Sequence, residues 1–600
     1  MLKKSAFILL SLFVTINIQA QDNSKITKSD NFEMLKNLEI YFNLYKELNI
    51  NYVEPLKHAD LIQKSIDAML ASLDPYTIYI PESDQDDIAL LTKGQYGGVG
   101  ALIHKKGLET IVSDPYEGFP AFNAGLRAGD RLLEIDHQSL ESKSVEDVSA
   151  MLKGQAGTTF KLKVRKLQTG KIVDIALTRE TIAIPNVPYS GLFKNDVGYI
   201  KLASTVEGSY NEFQAAFLQL RENKKLKGLV IDLRGNGGGL LDEAVNIVGL
   251  FVKKGELIVS TKGKLVDKNH SYYTSTNPVD LSLPIVVLVD DETASAAEIL
   301  AGSIQDLDRG VIVGQRSFGK GLVQNIVPVG YNSEMKVTVA KYYTPSGRCI
   351  QAIDYSKKDA NGESLPISDS LRHPFKTRIG RIVYDGAGIE PDIAIEPRYF
   401  SNIASILVGR LLTFDYADKF VKDHSSISSP SQFKISDNEY KDFIKFLSDK
   451  DYSYVTRSER AMDDFKKLAE REKYFDAVKT EYEALKTKMD RDKKDDLMKF
   501  KGEICEVLES EIVSRYYFQK GRIESSLGYD KELETATQTL LSRPKYLELL
   551  KPGALIKTSA IIHSDTPDQN MTSLQPGTDN NNTASSLPGT PSKKDKTSSK

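Results

Sequence analysis

Cysteine is nearly absent from this 600-residue chain, which contains only Cys349 and Cys505. They lie far apart in unlike contexts, so they offer neither a disulfide framework nor a metal-ligand spacing. Histidine is scarce too, at seven residues, and none stands in a G-x-S-x-G or other triad context. HExxH, the P-loop and a G-x-G-x-x-G after a strand are all missing, which removes the common zinc-protease and nucleotide-binding signatures. Net charge is only −3, so no basic field argues for nucleic acid as the main partner. No internal repeat is visible, and past the first twenty residues no run is apolar enough to cross a membrane. No metal and no cofactor is expected.

What is present begins with MLKKSAFILLSLFVTINIQA. Two lysines, an apolar run from Ala6 to about Ile16 and Ile18-Gln19-Ala20 have the anatomy of a signal peptide over 1–20. No cysteine follows, so no lipoprotein is expected, and the chain is read as exported to the periplasm or cell envelope of a bacterium, without a membrane span once the signal is removed. A length of 600 predicts roughly three to five domains at about 100–200 residues each. Residues 21–93 carry apolar and charged positions at helical spacing up to about residue 92 and form an N-terminal helical segment. Residues 94–170 show short β-rich runs (TIVSD, RLLEID, FKLKVRK) between glycine turns, with one helix from Ser144 to Leu152. Residues 185–398 alternate strands and helices, the rhythm of an α/β layer with a largely parallel sheet. Residues 399–556 are charged and helical. Residues 557–600 lack aromatics, are rich in Ser, Thr, Asn, Pro and Gly, and are expected to be disordered.

Three stretches carry chemistry. In DETASAAEILAGS, Ser295-Ala-Ala-Glu298 fits a helix capping box. The same position, early in a helix that follows a buried strand, suits a nucleophile, because free N–H groups and the helix dipole favour an anion there. The pattern alone leaves cap or nucleophile open. A serine needs a base, and SFGKGLVQ offers Lys320 between glycines. An amine can act as base once burial strips its charge. Gln324, four residues on, is a neutral amide able to hold that amine. The third stretch, DLRGNGGG after the strand GLVI, exposes backbone N–H groups fit for an oxyanion. No Walker lysine follows it, which weakens a phosphate-binding reading.

Taken in order with LASLDPYT, YGGVGALI, AGLRAGDRLLEIDHQSL, GQRSFGKGLVQ, YYTPSGRCIQ and GIEPDI, these stretches resemble the C-terminal processing (tail-specific) serine peptidase family over about residues 35–397. The resemblance implies a multidomain α/β protein with a PDZ domain and a crotonase/ClpP-like peptidase core. It implies Ser295 as nucleophile, Lys320 as general base and Gln324 as the residue orienting the lysine. It further implies an oxyanion hole of backbone N–H groups from Gly237 or Gly238 and from Ala296. Cys349 departs from the family, where serine is frequent.

Residues 94–170 look like a bacterial PDZ domain. The loop Gly97-Gly98-Val99-Gly100-Ala101 would capture a peptide carboxylate, with the peptide added as a strand. The expected function is therefore a serine endopeptidase that takes hold of exported proteins by free apolar C-termini and processes or degrades them. Tethering raises the substrate's concentration at the serine, and by the resemblance PDZ movement gates the site. A catalytically silent peptide-binding scaffold and a non-peptidase acyl-group enzyme are the alternatives. The joint presence of Ser295, Lys320 and Gln324 argues against the first, and the PDZ-like segment against the second. The region 399–556 is read as a helical cover or a platform for an adaptor or a second copy of the chain.

Overall fold

The computed structural model describes residues 28–82 and 93–552. The expected signal peptide and disordered tail lie outside the described residues. Helices α1 (Lys28–Asn51) and α2 (His58–Ala71) form a hairpin. Tyr45 sets its ring edge-on to His58, and Tyr41 Oη lies 2.7 Å from Ser65 Oγ. The chain then turns at Asp74, whose carboxylate accepts from the N–H groups of Tyr76 and Thr77 and from the Thr77 hydroxyl. This Asx turn leads into strand β1 (Ile78–Ile80). Here the structure corrects the reading of 30–92 as purely helical. Helical spacing cannot reveal a three-residue strand whose partner, residues 334–336, is far along the chain.

The second unit holds β2 (Gln95–Gly98), β3 (Ala101–Lys106), β4 (Glu109–Pro115), α3 (Pro120–Asn123), β5 (Arg131–Ile135), β6 (Gln138–Ser139), α4 (Val145–Leu152), β7 (Thr159–Arg165), β8 (Ile172–Thr178) and β9 (Glu180–Ala183). Its sheet runs β3-β4-β5-β7-β8, so β3 is an edge strand with one neighbour, while β2 pairs with β9. Alternation in β7 turns Phe160, Leu162 and Val164 inward, onto Val112, Leu132 and Val148. Ser144 and Asp147 close a reciprocal capping box at the start of α4.

The third unit contains β10 (Tyr189–Phe193), β11 (Val197–Lys201), α5 (Ser209–Arg221), β12 (Gly228–Asp232), α6 (Leu241–Gly249), β13 (Leu257–Gly263), β14 (Ser271–Tyr273), β15 (Ile285–Val289), α7 (Ala296–Asp306), β16 (Val311–Gly314), β17 (Leu322–Gly330) and β18 (Ser333–Tyr343). Its main sheet runs β10-β11-β12-β15-β16 and ends on the short strand Ile393–Ala394, parallel from β11 onward. Strands β11, β12, β15 and β16 are buried along their whole length, as apolar strands covered on both faces must be. Helices α5, α6 and α7 cover one face through Phe213, Ile247 and Leu300. A second sheet, β1-β18-β13-β14 with β17 on β18, forms beside it.

The remaining helices are α8 (Asn402–Gly409), α9 (Leu412–Asp423), α10 (Asp437–Phe446), α11 (Arg457–Arg471), α12 (Phe475–Lys494), α13 (Asp496–Lys499), α14 (Lys501–Ser526), α15 (Lys531–Leu541) and α16 (Arg543–Leu549). Most share a core of their own around Leu407, Tyr416, Phe443 and Leu508. The last turns of α14, with α15 and α16, cross to the main sheet of the third unit. Ile523, Leu533, Ala536, Leu540 and Tyr546 pack on Tyr199, Val230, Val286 and Val313, covering its second face. Among the described residues no helix is long and apolar enough to cross a membrane.

Candidate active site

Strand β15 delivers the chain to a tight turn. The Asp290 carboxylate accepts from the Thr293 N–H and hydroxyl (2.9 Å each) and from the Gly235 N–H (3.0 Å). Ser295 follows with φ 54° and ψ −118°. A non-glycine residue on the positive side of φ costs about 1–3 kcal/mol and persists only where its surroundings hold it. A serine on a strained strand-to-helix turn is thrust out at the head of a helix, as in a nucleophile elbow. Here the helix is α7, buried along its entire length.

Glu298, one turn into α7, is the hub. It is fully buried and accepts four hydrogen bonds: Ser295 N–H and Lys320 N–H to Oε2 (2.8 and 2.9 Å), and Ser317 hydroxyl and Gly319 N–H to Oε1 (2.5 and 2.7 Å). Two bonds to one oxygen atom bring the backbones of the serine and the lysine together although they lie on different elements. Burial pushes this carboxyl up to about 7, against the four donors, which favour the carboxylate. From the sequence Glu298 was legible only as a capping partner, so its reach to the lysine loop was missed.

The lysine loop is closed from its other side by Ala352 N–H donating to Gly319 O (2.8 Å) and Gly321 N–H to Gln351 Oε1 (2.7 Å). Gly319 has φ 86°, and a Cβ there would come within 2.4 Å of Ala352 Cβ; glycine is required. Lys320 Nζ rests 4.4 Å above the centre of the Tyr76 ring. Burial lowers its pKa to about 8; the nearby Lys336 amine adds to this, while Glu298 and Asp74 oppose it. Gln324, on β17, donates its amide to Thr338 Oγ1 at 3.2 Å, and no hydrogen bond joins it to Lys320 among the described residues. Tyr76 had no part in the sequence argument, although LDPYT marked its segment.

The glycine loop is fixed at almost every residue. Lys201 Nζ donates to Arg234 O (2.6 Å), Asn236 Nδ2 to Leu202 O (2.9 Å), Ala294 N–H to Asn236 O (2.9 Å) and Gly238 N–H to Asn236 Oδ1 (2.9 Å). A Cβ on Gly238 would lie 2.7 Å from Ser295 Cβ and 2.9 Å from Ala296 N, so the loop touches the serine turn. The Gly238 N–H is engaged, whereas Gly237 is exposed and its N–H has no partner among the described residues. Ala296 N–H, in the first turn of α7, is one of the helix's unpaired donors. Ser295, Ala296, Lys320, Gly237 and Gly238 therefore converge, with Gln324 on the adjoining hairpin.

Gly97 to Ala101 lie apart, in the second unit. Carbonyls of Gly97, Val99 and Gly100 accept from Gly154, Ala121 and Tyr116 N–H. The structure corrects the reading of this stretch as one loop: Gly97 and Gly98 end β2, paired with Thr181 and Glu180 of β9, and only Val99 and Gly100 lie between strands before Ala101 opens β3. Edge strand β3 lies against α4, and the free strand edge beside a helix is the geometry of β-augmentation.

Comparison with known proteins places this architecture. Residues 196–357 match peptidase family S41, residues 111–166 a PDZ domain, and residues 403–540 a family described as "Probable PDZ-protease, C-terminal helical domain". The carboxy-terminal-processing protease of Bartonella bacilliformis is 33% identical over 369 residues, covering 61% of this chain and 84% of the relative. The carboxy-terminal processing protease CtpA of Bacillus subtilis is 31% identical over 343 residues, covering 57% and 71%. A solved photosystem II D1 C-terminal processing protease is 29% identical, with 60% of this chain and 88% of that chain covered and a TM-score of 0.34. The chain belongs to the carboxy-terminal processing serine proteases of peptidase family S41 and carries a PDZ domain.

Proposed function

We propose that the chain hydrolyses peptide bonds with a Ser295–Lys320 dyad, on substrates held by their C-termini in the PDZ groove. The observation that carries this reading is the Glu298 hub, which binds the strained serine turn and the lysine loop to one buried carboxylate. With its amine desolvated over Tyr76, Lys320 is free base in about a tenth of molecules at pH 7, given a pKa of about 8. Neutral Lys320 takes the Ser295 Oγ proton as the oxygen attacks the scissile carbonyl carbon. The carbonyl oxygen becomes an oxyanion facing the N–H groups of Gly237 and Ala296, each such donor contributing about 10²–10³ in rate. The Lys320 ammonium then protonates the departing amine. Water, deprotonated by the same lysine, releases the acyl group and regenerates the serine. Gln324 shapes the pocket beside the amine through Thr338, so its removal costs less than that of Lys320.

In the PDZ unit, a peptide adds along the free edge of β3 and its carboxylate meets the segment Gly97–Ala101 that joins β2 to β3. Substrates are exported proteins with apolar, unfolded C-termini, and the enzyme works in the cell envelope. Residues 21–600, S295A and K320A are incubated with an unfolded protein ending in apolar residues and with the same protein ending in charged ones. The expected result is cleavage by the parent chain alone, faster on the apolar tail. Cleavage by S295A would overturn the proposal. Fractionation of cells making the full chain checks the location.

A further inference from the structure

One anchor of the glycine loop comes from the C-terminal helices. Arg234, at the head of the loop, is held locally by Asp232: Nε donates to Oδ1 (2.9 Å) and Nη2 to Oδ2 (2.6 Å). Its remaining donors reach about 300 residues along the chain. Nη2 also donates to Asp530 Oδ2 (2.6 Å) and Nη1 to Glu532 Oε2 (2.5 Å). The side chains are 13–15% exposed, Asp232 only 1%. Asp530 caps α15 through its other oxygen, accepting Leu533 N–H at 2.8 Å, so the acid is built into the helix start. Glu532 is shared, for its second oxygen accepts the side-chain amide of Gln315. Gln315 begins the segment that runs through Ser317 and Gly319 to Lys320.

The start of α15 thus grips both loops of the site, the one bearing the Gly237 N–H and the one bearing the base. Charge-assisted, multiply bonded guanidinium–carboxylate contacts are stiff as well as strong. A loop with three consecutive glycines has little stiffness of its own.

Resting on the dyad reading above, we infer that Asp530 and Glu532 are positioning residues for hydrolysis: through Arg234 and Gln315 they hold the Gly237 N–H and the lysine loop in register with Ser295. This gives the C-terminal helical region a part in turnover itself, apart from any part in substrate capture.

The test uses the full mature chain carrying Asp530→Asn, Glu532→Gln or both. Asn keeps the helix cap, and both changes preserve shape while removing charge. Leu533→Ala, one position along the same helix and buried on the sheet, serves as a packing control that leaves the carboxylates in place. We expect kcat to fall about tenfold in the single variants and further in the double, with KM within about twofold, since misplacement of transition-state donors acts on turnover. Inhibition by a peptide aldehyde, whose adduct with the serine mimics the tetrahedral oxyanion, weakens in parallel with kcat. In an Arg234→Gln background, Glu532→Gln adds a smaller loss than in the parent, because the two share a contact. The inference is overturned if all three variants keep kcat within twofold, or if Leu533→Ala, at a comparable drop in melting temperature, loses as much kcat with aldehyde inhibition following it. Failure of the dyad reading shows separately, as activity surviving in S295A.

Discussion

Lys320 and Glu298 titrate about a unit apart, at about 8 and about 7, and their coupling shapes the pH profile. As pH falls below about 8, Lys320 takes up a proton and the free base is lost about tenfold per unit. As pH falls below about 7, Glu298 protonates, and one of its acceptor sites turns into a donor facing donors. The logarithm of kcat/KM is therefore expected to climb with slope near one between pH 7 and 8 and more steeply below 7, which a stopped assay across pH 5–9 measures. A single-slope acid limb would exclude a role for Glu298 ionisation. Lys336 is a half-buried amine close enough to depress Lys320, so Lys336→Met should move the limb to higher pH.

Stability also rises with pH through this lysine. Lys320's folded pKa of about 8 lies below its unfolded value, so the unfolded chain binds the proton more tightly, and the lysine costs stability at all pH values below its folded pKa. That cost is relieved as pH rises through the window from about 8 to 10.5. Lys320→Met should raise the melting temperature at pH 7 while abolishing cleavage, the pattern of a residue kept for function against stability. Glu298→Gln should do harm on both counts. An amide cannot accept four bonds, and the buried donor left unmatched costs about 1–3 kcal/mol.

At the scale of elements, the glycine loop and the serine turn meet with no spare room. Gly238 has φ 96°, and a Cβ would sit 2.7 Å from both Ala294 O and Ser295 Cβ. Gly238→Ala should therefore lower the melting temperature and remove activity together. At Gly237 a Cβ meets nothing within 4 Å, so Gly237→Ala should melt within about a degree of the parent, surface changes away from special features moving stability by about ±0.5 kcal/mol. Differential scanning fluorimetry separates the two. The hairpin β17–β18 works in the same joint. Its bulge between Val323 and Gln324 turns Gln324 onto Thr338, and Thr338 N–H in turn donates to Thr77 Oγ1 at 3.2 Å. The N-terminal Asx turn thus supports the wall of the lysine pocket.

At the scale of the whole molecule, the C-terminal helices touch both other working units. On the PDZ side, His104 of β3 packs edge-on to Phe414 (4.8 Å), Lys106 pairs with Asp415, and Phe122 of α3 meets Phe518 (5.0 Å). Phe518 breaks α14 with φ 53° and ψ −153°, so the helix is bent where it reaches the PDZ domain. Arg515 covers Phe414 and pairs with Asp418 and Glu511. On the peptidase side, α15 and α16 bury apolar residues on the main sheet. A chain ending at residue 400 would bare that face, and burial is worth about 25 cal/mol per Å² of apolar surface. We expect it to be insoluble or to bind a hydrophobic dye strongly, which size-exclusion chromatography and dye fluorescence check; a soluble, monomeric, active fragment would contradict this account.

Local regularities were readable from the sequence because neighbours along the chain make them. The run GLVI was readable as a strand of a largely parallel sheet, the run FKLKVRK as a β-rich stretch, and Ser144 as the start of a helix. The motifs around Ser295, Lys320 and the glycine loop were legible as residues with a chemistry. Tertiary structure decided how those residues meet. Nothing in the spacing of Ser295 and Lys320 says that one oxygen of Glu298 accepts from both backbones, or that Gly238 rather than Gly237 has its N–H engaged by Asn236. Nor does the charged pattern of residues 399–556 reveal that Asp530 and Glu532 meet Arg234. Propensity and periodicity act over a few residues, whereas these contacts exist only because a buried sheet brings distant segments to one place, where low dielectric makes each pairing strong and each unmet partner costly.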